Sequence, residues 1–196
     1  TTSSNNSVLV TGSNSLWSNS GTLLVGYGGS GNSLVISNGG RVINSKGNIA
    51  NDTNSSNNSV LVTGGSSLWS NSSDLSIGLN GNGNSLVISN GGTVADSNGY
   101  IGYAITSPDN ASSNNSVLVT GSNSLWSNSG NLTIGHYGGS SSLVISDGGR
   151  VVDINADIGY VASNNSVVVT GSNSLWSNSG YLVVGNSGSG SLTVAN

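Results

Sequence analysis

The chain contains no cysteine, methionine, phenylalanine, glutamate or glutamine, and it has one proline in 196 residues. Charge is scarce too: seven aspartates stand against three lysines and arginines, for a net charge of −4. Each absence excludes something. Without cysteine there is no disulfide framework and no thiol chemistry, and the redox compartment cannot be read. The straight-chain residues that favour helices are nearly gone, which argues against helical bundles, coiled coils and doubly wound α/β folds. Three basic residues cannot make the clustered electrostatic footprint of a nucleic-acid binder. No apolar run in this segment approaches a membrane span.

What remains is mostly serine, asparagine and glycine, which together exceed half of the residues. Such a composition suits a disordered linker. Hydrophobic residues still make up 34%, however, mainly Val, Leu and Ile. Their arrangement is strictly repetitive. NNSVLVTG begins at Asn5, Asn57 and Asn114 and returns as NNSVVVTG at Asn164. Each copy leads to SLW, ending at Trp17, Trp69, Trp126 and Trp176. An L-x-[VI]-G segment follows (Leu23–Gly26, Leu75–Gly78, Leu132–Gly135, Leu182–Gly185), then SLVIS at Ser33, Ser85 and Ser142. The large repeats cover about 5–56, 57–113, 114–163 and 164–196, a period of 50 to 57 residues. Repeats of this size signal a stacked architecture.

Each large repeat is itself double. Aligning Val8-Leu9-Val10 with Leu34-Val35-Ile36 yields triplets that start at Val8, Leu34, Val60, Leu86, Val117, Leu143, Val167 and Leu192. The step is about 26 residues, with one longer step of 31 before Val117. Apolar residues alternate within the segments, as in strands. Three short strands joined by Gly/Asn/Ser corners make one turn of a three-sided β-solenoid. Coils stacked about 4.8 Å apart give a rod of roughly 38 Å. Predicted inward columns are Val8 through Leu192, Val10/Ile36 through Val194, Leu16/Val42/Leu68/Val94/Leu125/Val151/Leu175, and Val25/Ile49 through Val184. Stacked Asn and Ser can pass hydrogen bonds from coil to coil.

VTGxxSxW, followed by LxVGxxGxGxLxISNGGxV and a later IG, resembles the repeat associated with autotransporter (type V secretion) and PEP-CTERM proteins. The likeness covers essentially the whole chain; Asn48-Ile49-Ala50 departs from IG. It implies an all-β fold, a right-handed three-sided parallel β-helix of about eight coils. It also implies an extracellular or bacterial cell-surface location and a role as stalk, adhesin, fibre or biofilm matrix component. The repeat has no catalytic residues to carry over, so neither an enzyme nor a cofactor is expected.

Candidate surfaces follow from the alternation. The middle residue of the first strand points outward, which makes a column of Leu9, Val35, Leu61, Val87, Leu118, Val144, Val168 and Thr193. A contiguous exposed apolar stripe marks an interaction surface; alternatively, these residues merely suit strands or are covered by the chain's own loops. The Trp column alternates as Trp17, Ile43, Trp69, Ala95, Trp126, Val152, Trp176. Adjacent to Leu16, Trp17 faces out if Leu16 faces in. Its column is then a glycan-stacking surface, an inter-solenoid contact or, if the chain bends, internal packing. The expected partners are further copies, end to end or laterally, with a cell-surface glycan or protein as the alternative.

Other signals are weaker. Asp153-Ile154-Asn155-Ala156-Asp157 places oxygen ligands at alternate positions but lacks the glycine and later glutamate of a calcium loop. His136 is the only histidine, and no Ser-His-Asp spacing surrounds it. The Thr11/Ser37/Thr63/Ser89 column could serve as an ice-binding face, although alternation with serine weakens it. The long step inserts residues around Tyr103, Ile105 and Pro108, which predicts a protruding loop beside Tyr100. Both ends fall mid-repeat, which is expected of a piece of a longer array or of a unit that stacks end to end.

Overall fold

The computed structural model describes residues 3–104 and 112–196, and every regular element among them is a strand. The strands form three parallel sheets, one per side of a β-solenoid. The first side holds eight strands, from Ser7–Thr11 to Gly190–Ala195. The second runs over seven, from Leu16–Ser18 to Leu175–Asn178, and the third over seven, from Thr22–Val25 to Leu182–Val184. The solenoid therefore has seven complete turns and the opening strand of an eighth.

On the first side the expected register holds throughout: Val8 pairs with Leu34, Leu34 with Val60, and so on to Val167 with Leu192. Leu34 and Leu86 are buried in the core, as are Ile36 and Ile88. The third side also holds, with Val25, Ile49, Ile77, Ile101, Ile134, Ile158 and Val184 in one column.

The second side is offset by one residue from the sequence expectation. Leu16 pairs with Arg41, and Trp17 pairs with Val42. The reason lies in the corners. Five residues, Thr11 to Ser15, separate Val10 from Leu16, whereas four, Ser37 to Gly40, separate Ile36 from Arg41. In the longer corner Ser15 N donates to the Gly12 carbonyl at 2.9 Å, and Ser15 Oγ donates to the Thr11 carbonyl at 2.6 Å. In the shorter one Asn38 and Gly39 take φ of 52° and 82°, a left-handed pair that turns the chain in fewer residues. A one-residue slip reverses every side chain in a strand. The inward column is therefore Trp17, Val42, Trp69, Val94, Trp126, Val151, Trp176: Val42, Val94 and Val151 face in as expected, whereas Leu16, Leu68, Leu125 and Leu175 of the predicted column face out. Trp69 and Trp126 have 0% exposure, and Leu16 has 56%.

This register explains why the repeat spans two coils rather than one. An indole is too large for a layer about 4.8 Å thick. Each Trp coil carries Leu on its third side, at Leu23, Leu75, Leu132 and Leu182. Each Val coil carries Gly47, Gly99 or Ala156 at the paired position. A Cβ on Gly47 would lie 2.7 Å from Trp69 Cζ2, and a Cβ on Gly99 would lie 2.7 Å from Trp126 Cζ2. The ring thus spills into space its neighbour leaves empty, which keeps the interior close-packed.

Two polar ladders run inside. Asn58 Oδ1 accepts from Asn32 N and Nδ2, both at 2.9 Å, and Asn84 Oδ1 accepts from Asn58 N and Nδ2 at 2.8 and 3.1 Å. Asn115 continues the chain of bonds by accepting from Asn84. The second ladder serves the indoles. Trp69 Nε1 donates to Asn44 Oδ1 at 2.8 Å; Trp126 Nε1 donates to Asp96 Oδ2 and Trp176 Nε1 to Asp153 Oδ2, both at 2.7 Å. Pairing of this kind offsets the cost of burying polar groups.

Candidate interaction surfaces

The outward face of the first sheet is built as the alternation requires. Leu9, Val35, Leu61, Val87, Leu118, Val144, Val168 and Thr193 stand in register, one per strand. Leu9, in the first coil, is 63% exposed, and the residues from Val35 to Val168 are half-buried. A serine column beginning at Ser7 flanks them on one side, and the Thr11/Ser37/Thr63/Ser89 column flanks them on the other. The hydroxyls of the second column are paired: Ser37 Oγ donates to Thr11 Oγ1 at 3.0 Å, Ser89 to Thr63 at 2.9 Å, and Ser146 to Thr120 at 2.8 Å. No charged residue lies in these strands.

The Trp column is not a surface. Trp69 and Trp126 are wholly buried, and Trp17 and Trp176, in the outermost coils, pack partly buried against the same core. A sugar or a second rod cannot reach the buried rings, which corrects the expectation of an aromatic surface on this side.

Asp153 and Asp157 are likewise not brought together. Asp153 faces the core, where it accepts from Trp176 and Asn178; Asp157, between inward Ala156 and Ile158, accepts from Asn186 Nδ2 at 3.1 Å. Burial raises the pKa of Asp153, against the two hydrogen bonds. Among the described residues no three His, Cys, Asp or Glu gather as a metal centre. Of the predicted loop, Tyr103 is described, while Ile105 and Pro108 lie outside the described residues.

Tyr103 belongs to a cluster that the repeat pattern alone does not assemble. Tyr100 and Tyr103 have ring centroids 4.7 Å apart, Tyr103 and His136 4.6 Å, and His136 and Tyr160 5.1 Å with ring planes only 6° apart. Tyr137 stands edge-on to His136 at 4.5 Å and 90°. Tyr103, His136 and Tyr160 each follow the corner glycine of successive coils: Gly102, Gly135 and Gly159. That shared position is the signal the sequence offers. Burial lowers the His136 pKa, opposed by a hydrogen bond to the Ala104 backbone, and its Nδ1 is buried without a partner. Burial, together with Asp74 and Tyr103, raises the Tyr100 pKa.

No family model matches the chain, and no curated protein or solved structure is significantly similar to it. Among the described residues no helix is long and apolar enough to cross a membrane.

Proposed function

We propose that this chain is a rigid structural and adhesive element of an extracellular or bacterial surface protein, forming a stalk or fibre that associates laterally through the outer face of its first sheet. In this reading it performs no chemistry of its own. The resemblance of its repeat to autotransporter and PEP-CTERM-associated proteins supports the location. The in-register aliphatic stripe between two hydroxyl columns carries the rest. An uncharged, flat, repetitive face lets identical copies approach without repulsion, and small serines beside the stripe let aliphatic side chains interdigitate.

Area sets the expected strength. Eight strands about 4.8 Å apart and five residues of about 3.3 Å each present roughly 600 Å² per partner. A standard specific interface buries about 800 Å² per partner. One such face therefore associates weakly, and lateral contacts gain strength as more coils align. Sedimentation of the Leu61→Asp/Leu118→Asp variant tests the reading. Both positions are outward and half-buried, so the solenoid should keep its circular dichroism while self-association at high concentration is lost. Unchanged self-association would sink the lateral interface.

A further inference from the structure

From the aromatic cluster on the third side we infer a binding site for neutral polysaccharide, formed by Tyr100, Tyr103, His136, Tyr137 and Tyr160. The inference deepens the adhesive part of the reading above by naming a ligand class and a place. It rests on four observations.

First, the solenoid does not need rings there. The residues that follow the equivalent corner in the other coils are Tyr27, Asn51, Leu79 and Asn186. In three of those four coils the fold closes the same turn with an amide or an aliphatic chain, so closure does not require a ring, and only Tyr103, His136 and Tyr160 place rings in successive coils.

Second, the rings sit at the surface rather than in the core. Tyr160 is 38% exposed, and the other four are half-buried. The cluster holds four of the six tyrosines and the only histidine, on a chain whose surface is otherwise mostly Ser, Asn and Gly.

Third, the ring geometry makes a shaped platform. Tyr103, His136 and Tyr160 form a ladder across three coils, and Tyr137 stands perpendicular to it. A pyranose offers an apolar C–H face to an aromatic surface and its hydroxyls to a polar rim. Successive sugars of a chain laid along the rod axis would meet successive coils.

Fourth, the charge selects the ligand. The cluster contains no lysine or arginine. Asp74 lies near enough to Tyr100 to raise its pKa, whereas Asp157, in the strand that leads to Tyr160, is buried and held by Asn186. Carboxylates accept hydrogen bonds from sugar hydroxyls but repel uronates and sulfated sugars. The ligand is therefore an uncharged glycan.

The test is titration of the chain with cellohexaose, mannohexaose and chitohexaose, and separately with polygalacturonate, followed by the ring-proton resonances of Tyr and His. At least one neutral hexaose should bind and shift those resonances. Binding should weaken at least 10-fold in Tyr103→Asn and Tyr160→Asn, which copy Asn51 and Asn186 and so preserve the fold. Failure of all three neutral hexaoses, binding that leaves the ring resonances unmoved, undiminished binding by both variants, or preference for polygalacturonate would each overturn the inference. Self-association of the Leu61→Asp/Leu118→Asp variant reports on the first sheet alone, so the two readings fail separately.

Discussion

Inside the solenoid, the indole nitrogen of Trp126 donates to the carboxylate of Asp96 at 2.7 Å. In the coil pair before it, Asn44 does the same work for Trp69 at 2.8 Å. One architecture thus accepts either an amide or a carboxyl at this position. The two differ in what burial does to them. Burial drives the Asp96 pKa from 3.8 up to about 7, with Asp74 adding to the rise and the Trp126 bond opposing it.

A pH dependence follows. The folded state holds the Asp96 proton more tightly than the unfolded state does. Its contribution is most favourable in acid, below the unfolded value, and falls as pH rises toward the folded value. The slope in that window is about 1.4 kcal/mol per pH unit, and it flattens above about pH 7. Asp96→Asn should keep the indole bond and abolish this titration. Thermal melts from pH 4 to pH 9 should show the variant more stable by roughly 2–4 kcal/mol at pH 8 and nearly equal to the parent at pH 4. A variant with the same pH slope as the parent would show that Asp96 is not the responsible group.

The pairing of large and small residues across coils makes a second prediction. A methyl added at Gly99 would meet Trp126 Cζ2 at 2.7 Å and Leu132 Cδ1 at 3.0 Å, and it would also crowd the Asn128 amide. Gly99→Ala should cost about 1–3 kcal/mol through overpacking. Trp126→Val alone should cost about 3–5 kcal/mol for the cavity it leaves. In the double variant the new methyl occupies part of that cavity. Denaturant melts of the four proteins should give a favourable coupling of about 1 kcal/mol or more. Additive costs would mean that Trp126 and Gly99 are not matched as a pair.

The same pairing marks where the sequence is legible. The 26-residue step, the strand alternation and the first-side and third-side columns follow directly from Val, Leu and Ile in fixed positions. The second side does not, because its register depends on corner length. TGSNS and SNGG differ by one residue, and only the hydrogen bonds of Ser15 and the left-handed pair Asn38-Gly39 show how each turns. Equal spacing of the corners would turn the tryptophans outward; unequal corners turn them in. The alternation Leu75/Gly99/Leu132/Ala156 on the third side holds the clue. Small residues in every second coil call for a large neighbour facing inward. The outward aliphatic stripe is readable from the triplets alone. The aromatic cluster is readable in part: Tyr103, His136 and Tyr160 each follow a corner glycine aligned by the Ile101/Ile134/Ile158 column, whereas the addition of Tyr100 and Tyr137 to the group depends on side-chain placement.

The asparagine ladder supplies a third prediction. Asn58 is wholly buried, accepts from the backbone and side chain of Asn32, and donates to Asn84 Oδ1 through its own backbone and side chain. Asn58→Ala leaves the Asn32 backbone N–H without its acceptor. Each buried polar group stranded in this way costs about 1–3 kcal/mol. The variant should lose roughly 2–4 kcal/mol in a urea melt. Asn58→Asp keeps the shape and the acceptors but loses the side-chain donor to Asn84, and it buries a charge. It should therefore be at least as damaging as alanine at neutral pH and recover in acid. A harmless alanine would mean that the ladder accompanies the fold without stabilising it.

Glycine at the corner that ends six of the seven third-side strands, Ala50 holding the other at φ of 66°, is the last point of leverage. Gly78 has φ of +76°, and a Cβ there would fall on the side chain of Asn115, which carries the ladder into the next coil. Two costs combine in Gly78→Ala. A left-handed conformation costs an L-residue about 1–2 kcal/mol, and displacing Asn115 strands its buried partners at a further 1–3 kcal/mol or so, about the cost of any orphaned buried group. Gly65 is the control, because it is exposed, lies outside the left-handed region and has open space where a methyl would stand, with nothing within 4 Å. Gly65→Ala should be neutral or stabilise by up to about 1 kcal/mol, since it restricts the unfolded chain without straining the folded one. Chemical denaturation of the two variants should separate them by about 2–5 kcal/mol. Equal stabilities would show that Asn115 yields freely to the methyl and that the corner tolerates a side chain, which would remove the ladder as the reason for glycine at the end of L-x-[VI]-G.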